Sequence, residues 1–257
     1  MTLRVAVNLL WCVPGVVGGS EEYLARQLDG LREVDPDGER VDPTLFAVPA
    51  YPEAHPALTA RIPTKLAPVG GGRRPVRVLA EHTWLAARSR GFDVVHHGGG
   101  TTPLVGPRPV LLTIHDLQYL EHPEYVAPGK LRYLRAVVPR SARRAAAIAV
   151  PSGFVRDTVI EGLGIEGRGI EGRGIEGLGI EPDRVVVVPH GVPAPSVDRA
   201  EAGDLRQRYG LGEGPVVVFP AITHPHKNHR VLLQTMARHW TDPDLRLVLL
   251  GGRGAAD

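Results

Sequence analysis

Apolar positions along this chain fall into two alternating patterns. Short unbroken runs of Val, Leu and Ile, closed by Gly, Pro or a polar cluster, predict buried strands. Stretches with apolar residues three and four apart predict amphipathic helices. Residues 3–10 form the first strand run, which leads into Pro14, Gly15, Gly18 and Gly19. A helix carrying Leu24, Leu28 and Leu31 follows. Ser20 is its predicted N-cap, and Glu21 and Glu22 complement its dipole. Further strands are predicted at 44–48, 93–97, 110–114, 148–150 and 185–188. Helices are predicted at 76–88, at 128–145 with a kink or break at Pro139, and after a capping Ser152. Residues 49–74, rich in Pro and Gly, read as loop with a short helix. Residues 96–102, HHGGGTT, read as a flexible polar loop. This β–α alternation implies an α/β fold: a parallel sheet with helices on both faces, binding ligands at the carboxyl ends of its strands. The Gly18 loop, His97, His115 and His190 all fall at such ends.

The pattern restarts after residues 194–214, a Pro-, Ala-, Gly- and charge-rich stretch that reads as a linker with a short helix at 205–209. Residues 216–219 predict a strand, and residues 245–250 another. Between them lies the polar run Thr223 to His229, then a helix carrying Val231, Leu232, Leu233 and Met236. A strand, a polar loop and a helix start aim backbone N–H groups and the positive helix end at whatever binds there. Lys227 adds a full charge, so an anion is implied, a phosphate above all. The rival reading is a solvated loop with a helix cap. Gly18 and Gly19 let the backbone approach a ligand, but from Gly15 the next glycine is Gly18. The dinucleotide spacing G-x-G-x-x-G is absent there, which argues against a nicotinamide or flavin enzyme.

One stretch breaks the pattern. From Ile160 to Gly179 the chain reads IEGLG, IEGRG, IEGRG, IEGLG, four tandem pentads followed by IEPDR. Two glycines in five residues oppose helix and strand alike, which predicts a mobile loop. It is expected to be a repeat expansion with no chemical role; deleting residues 165–179 restores an ordinary helix-to-strand connection.

Composition narrows the classes. A hydrophobic share of 43% and a charged share of 23% are ordinary for a globular chain. A net charge of +2 and aromatics at 5% give no drive towards nucleic acid. The single cysteine, Cys12, excludes an intrachain disulfide. No apolar stretch reaches the ~18 residues of a membrane span. Asp35-Pro36-Asp37 and Asp242-Pro243-Asp244 match the D-x-D of metal-dependent sugar transferases but read as turns. His96-His97 and His224-x-His226 lack partnering cysteines or carboxylates, so no metal is expected. Arg132, Arg135, Arg140, Arg143 and Arg144 read as a solvated basic face, with anionic lipid as the sharper alternative.

Five segments taken in order carry a resemblance: VNLLWCVPGVVGGSEEY, LLTIHDLQYLEHPEY, AVPSGFVRD, VVVVPHGV and FPAITHPHKNHRVLL. Together the chain resembles the retaining glycosyltransferases of family 4. The resemblance implies a GT-B-like architecture: an N-terminal Rossmann-like doubly wound parallel sheet plus a second Rossmann-like domain, facing a cleft. By resemblance, His115 approaches the transferred sugar and Asp116 supports it. Gly18 and Gly19 approach the donor phosphates or the acceptor. His226, Lys227 and Asn228 bind the diphosphate, and Glu22, His97, His190 and Gly191 line the cleft or the acceptor site. An Arg usual shortly before that Lys is not present at residues 221–226.

The family's paired-glutamate motif does not occur before Asp257, so the expectation is an enzyme truncated at its C-terminus. The expected domains are an acceptor-type domain at 1–193, a linker at 194–214, and one β–α–β of an incomplete nucleotide-sugar domain at 215–257. The expected function is transfer of a hexose, mannose in the first instance, from a GDP- or UDP-sugar to a saccharide or lipid-linked acceptor. The nucleotide-sugar is substrate; no cofactor, metal or nucleic acid is expected. The expected place is the cytoplasm, at the inner face of the membrane. The alternative is an inactive fragment that binds acceptor or pairs with a partner chain.

Overall fold

The computed structural model describes residues 1–164, 181–192 and 198–252. The pentads from residue 165 onward, and the expectations placed on them, lie outside the described residues. The chain divides into two compact units, Met1–Val192 and Pro193–Asp257.

The first unit holds seven strands: β1 (Leu3–Leu9), β2 (Val41–Ala47), β3 (Thr64–Leu66), β4 (Val94–His97), β5 (Val110–Thr113), β6 (Ala147–Val150) and β7 (Val185–Val187). All pair in parallel, in the order β3-β2-β1-β4-β5-β6-β7. The chain winds outward from β1 to β3, then returns to lay β4 on the other side of β1. That reversal opens a crevice outside the carboxyl ends of β1 and β4.

Its helices are α1 (Gly19–Val34), α2 (Tyr51–Ala54), α3 (Pro56–Arg61), α4 (Arg74–Ala80), α5 (Ala86–Arg88), α6 (Gln118–Glu121), α7 (Pro128–Arg144) and α8 (Gly153–Gly162). Alternation along β1 explains why both faces are covered. Val7 and Leu9 pack with Leu24 and Leu28 of α1, while Ala6 and Leu10 pack with Ala80 and Leu85 on the opposite face. A third cluster joins Leu112 and Ile148 to Val138, Ala142 and Val159. Burying such apolar side chains stabilises the sheet by about 1.5–3 kcal/mol each before entropy is counted. Among the described residues no helix is long and apolar enough to cross a membrane.

The first unit departs from the sequence reading at several places. The first pentad is not loop: Ile160 and Gly162 belong to α8, and Leu163 is fully buried. β3 lies in the stretch read as loop; Thr-Lys-Leu is a partly exposed edge strand with no apolar run to announce it. The helix expected at 76–88 is interrupted by a π-helical turn, Glu81–Leu85, between α4 and α5. Helix α7 runs through Pro139 unbroken. The Ser141 hydroxyl donates to Val137 O at 2.8 Å and accepts from Thr102 N at 2.9 Å, which ties this part of the helix to the loop after β4. Ser20 is not the N-cap of α1: Gly18 takes that position with φ 71°, which glycine adopts without penalty. The 96–102 loop is closely packed, because a Cβ on Gly99 would stand 2.6 Å from the Trp11 ring. Ser152 caps α8 as expected, accepting from Val155 N.

The second unit contains α9 (Arg199–Arg208), β8 (Val216–Pro220), α10 (His229–His239) and β9 (Arg246–Leu250). The stretch read as linker thus carries a ten-residue helix, capped by Asp198, rather than a short one. β8 and β9 pair in parallel as a separate two-stranded sheet. Among its described residues none is buried. Both Asp-Pro-Asp segments are turns. The Asp35 carboxylate accepts from Glu39, Arg40 and Val41 N–H, and Asp242 accepts from Asp244 N.

Candidate functional site

Three loops leave the carboxyl ends of β1, β4 and β5 and enclose a cavity of about 450 Å³. This is the crevice that the strand order opens. Trp11, Val16 and Ser20 line it from the first loop, Gly99, Gly100 and Thr101 from the second, and His115 and Asp116 from the third. Arg74, Arg77 and Glu81 close one side, and Lys130 and Tyr133 of α7 another.

Each loop is held by side chains. Glu21 fixes the first: its Oε2 accepts from Gly15 N at 3.1 Å and its Oε1 meets His55 Nε2 at 2.8 Å. Trp11 donates its indole N–H to Asn8 O at 3.0 Å, and Arg77 donates to Trp11 O at 3.0 Å. The bare Gly98 and Gly99 let the indole approach the second loop.

His115 occupies the end of β5. A carbonyl only accepts, so the 2.9 Å contact with Gly98 O puts the ring proton on Nε2 and leaves Nδ1 as an acceptor. Burial lowers the imidazole below its usual range, against the weaker pull of Gly98 O and Asp116, and keeps it neutral at pH 7. The ring lies 6.0 Å from Trp11 and edge-on to Tyr23 at 5.3 Å. Tyr23 reaches past it to His190 at 4.2 Å, and its hydroxyl donates to Val188 O at 2.7 Å.

Asp116 accepts from Gln118 N, the first residue of α6, at 3.1 Å, while its charge acts on His115 through space. Gly18 and Gly19 flank the cavity between the lining residues Val17 and Ser20. Four residues expected in the cleft do not line this cavity. His97 is buried in the sheet, its Nδ1 3.1 Å from the Asn8 amide, because β1 and β4 pair those two residues directly. Burial holds it at about 3 and His96 at about 4, so both stay neutral. Glu22 pairs with Arg26 on the surface of α1. His190 and Gly191 are exposed beyond β7.

Sequence reasoning missed Glu81, Arg74, Arg77, Lys130 and Tyr133. Arg74 and Arg77, three apart at the start of a helix, were the one available signal. Glu81 follows at i+7 from Arg74, on the same helical face, so that spacing carried the same signal. Burial raises its carboxyl to about 7, with Asn8 and the two arginines pulling the other way. Two of the five arginines read as a solvated face are engaged. Arg140 donates to Thr102 O, and Arg144 to Leu104 O and Gly106 O.

In the second unit the loop expected to bind an anion is built locally. Lys227 ends a 3₁₀ turn, Pro225–Lys227, and Asn228 adopts φ 54° as the N-cap of α10, accepting from Val231 N. His226 Nδ1 lies 2.6 Å from His224 Nδ1, so one ring donates and the other accepts.

The family model for Glycosyltransferase Family 4 matches residues 17–171, more than half of the chain. The chain belongs to glycosyltransferase family 4. No curated protein sequence matches it. Among solved structures, this family 4 chain is similar to Anabaena Alr3699/HepE in complex with UDP-glucose. The TM-score is 0.63 at 17% identity, over 97% of this chain and 61% of that one. It is also similar to a glycosyltransferase from Rickettsia africae, at TM-score 0.50 and 12% identity over 99% and 69%. A third is the lipopolysaccharide outer core galactosyltransferase WaaB, at TM-score 0.50 and 12% identity over 99% and 62%. At such identities the likeness is one of fold, a GT-B glycosyltransferase fold of which this family 4 chain spans about three fifths of HepE's length.

Proposed function

We propose that this chain transfers a hexose, with retention, from a nucleotide-sugar to an acceptor seated in the cavity of the first unit. The observation that carries this reading is His115, a neutral imidazole at the end of β5 whose proton is tied to Gly98 O. Its Nδ1 is then a fixed acceptor for one sugar hydroxyl. Such an oriented hydrogen bond selects the sugar's pose and lowers the barrier by positioning.

The departing diphosphate gains negative charge as the glycosidic bond breaks. In this reading Lys227 and the N-terminus of α10 stabilise that charge most in the transition state. Gly18 and Gly19 keep the first loop low enough for a ligand. Because HepE was captured with UDP-glucose, UDP-hexoses are the first donors to test, followed by GDP-mannose. A lipid-linked acceptor would bring the protein to the inner membrane face, with Arg132, Arg135 and Arg143 towards anionic head groups. Liposome co-sedimentation that ignores anionic lipid content removes that contact.

The test is release of nucleoside diphosphate by the full chain, with the product's anomeric configuration read by NMR. His115→Ala is expected to lower turnover by about tenfold or more. An unchanged rate removes His115 from the reading. A second reading has one observation in its favour: no described residue of the second unit is buried. A unit so open invites cover from a partner chain, leaving the first unit as an acceptor-binding module. Calorimetry with UDP and GDP separates the two, since the module alone binds neither.

A further inference from the structure

The cavity walls carry a charge asymmetry that sugar hydroxyls do not require. Arg74 and Arg77 lie three apart on one face of α4, and Lys130 in the first turn of α7, all in the lining of one hollow. Arg74 is held in place by the Tyr133 ring, 4.8 Å beneath its guanidinium. Arg77 spends one nitrogen on Trp11 O, while its buried Nε has no hydrogen-bond partner among the described residues. A buried donor left unpaired is costly, and a polar ligand that reaches it recovers that cost.

Two carboxylates face these cations. Asp116 is engaged by Gln118 N. Glu81, 7% exposed at the cavity floor, lies in surroundings that favour its protonated form up to about pH 7. Positive charge therefore exceeds negative at neutral pH; Arg77 is partly buried, while Arg74 and Lys130 stand exposed at the rim, where salt screens them.

We infer that the acceptor of this site bears an anionic group, a phosphate or carboxylate, seated by Arg74, Arg77 and Lys130. This inference rests on the reading of the cavity as the acceptor site. The planar forks of two arginines suit the oxygens of a phosphate, and the lysine and the positive end of α7 complete the cradle.

Isothermal titration of the full chain with glucose 6-phosphate and with glucose tests it. The phosphorylated sugar is expected to bind at least about tenfold tighter in low salt, with the advantage shrinking as salt rises. Arg77→Gln and Lys130→Gln should each remove most of that advantage, affinity falling more for the phosphorylated sugar than for glucose. Lys130 is exposed, so its variant keeps the test valid should Arg77→Gln impair folding. Arg143→Gln, off the cavity, should change nothing. Equal affinity for the two sugars overturns the anionic class while leaving an acceptor site. An anion preference that survives in Lys130→Gln and Arg77→Gln alike also overturns it. Binding of neither sugar overturns the acceptor reading itself.

Discussion

The two units are built from the same β–α unit and differ in what surrounds it. In the first, β1 lies between β2 and β4 with helices on both faces, and Phe46 beside it is fully buried against Trp84 and Phe92. In the second, β8 has β9 as its one strand partner among the described residues, and Phe219 is half-buried with its ring 5.0 Å from His229. The contrast carries over to chemistry. The cavity is assembled from loops far apart in sequence, each anchored by a distant side chain such as Glu21 or Arg77. The Lys227 loop is made only of consecutive residues and a helix cap. A parallel strand pair is a poor fold by itself; layers make it rigid.

The largest effect expected from this contrast is on stability. Phe46→Ala should cost about 3–5 kcal/mol, as removal of a fully buried aromatic does. Phe219→Ala should cost less, about 1–2 kcal/mol, since part of its ring stays in water and no buried layer closes over it. Thermal or urea unfolding of both variants checks this, and equal losses would erase the distinction between the units.

Next comes Lys227→Ala. Losing one charge-assisted hydrogen bond, roughly 1.5–3 kcal/mol, should lower turnover about ten- to two-hundredfold. The melting temperature should hold, because the side chain is exposed. A change in melting temperature with turnover intact would make that loop structural.

A smaller effect follows from Glu81. Its folded pKa of about 7 stands above its ordinary 4.5, so the folded state keeps a proton that the unfolded chain has lost. Stability then falls as pH rises from about 4.5 through about 7. Glu81→Gln should flatten that slope and be more stable than the native protein at pH 8 by about 1–3 kcal/mol. Denaturation at pH 5 and pH 8 reads it directly; parallel pH dependences in the two proteins would contradict it. His96 and His97 act in the opposite direction. Depressed to about 4 and 3, they contribute stability that is lost as pH falls below about 6.5.

The smallest effect is expected from deleting residues 165–179. Loop length enters stability only logarithmically, so unfolding should shift by less than about 1 kcal/mol. A large drop would show that the pentads support the first unit.

Local signals determined much of this protein. Among the described residues, apolar runs placed eight of nine strands, because a strand covered on both faces is mostly apolar. The Ser152 cap, the Asp-Pro-Asp turns and the Lys227 loop were legible for a similar reason: each is made by neighbours in sequence. Tertiary structure alone decided what lies side by side. It paired Asn8 with His97 and so took that histidine out of the cleft. It set Trp11 against Gly99, and Arg74 over Tyr133. It buried Glu81 in the cavity wall and so raised its carboxyl to about 7. None of these contacts has a period or a spacing in sequence, because strand order and burial create them only once the sheet has closed.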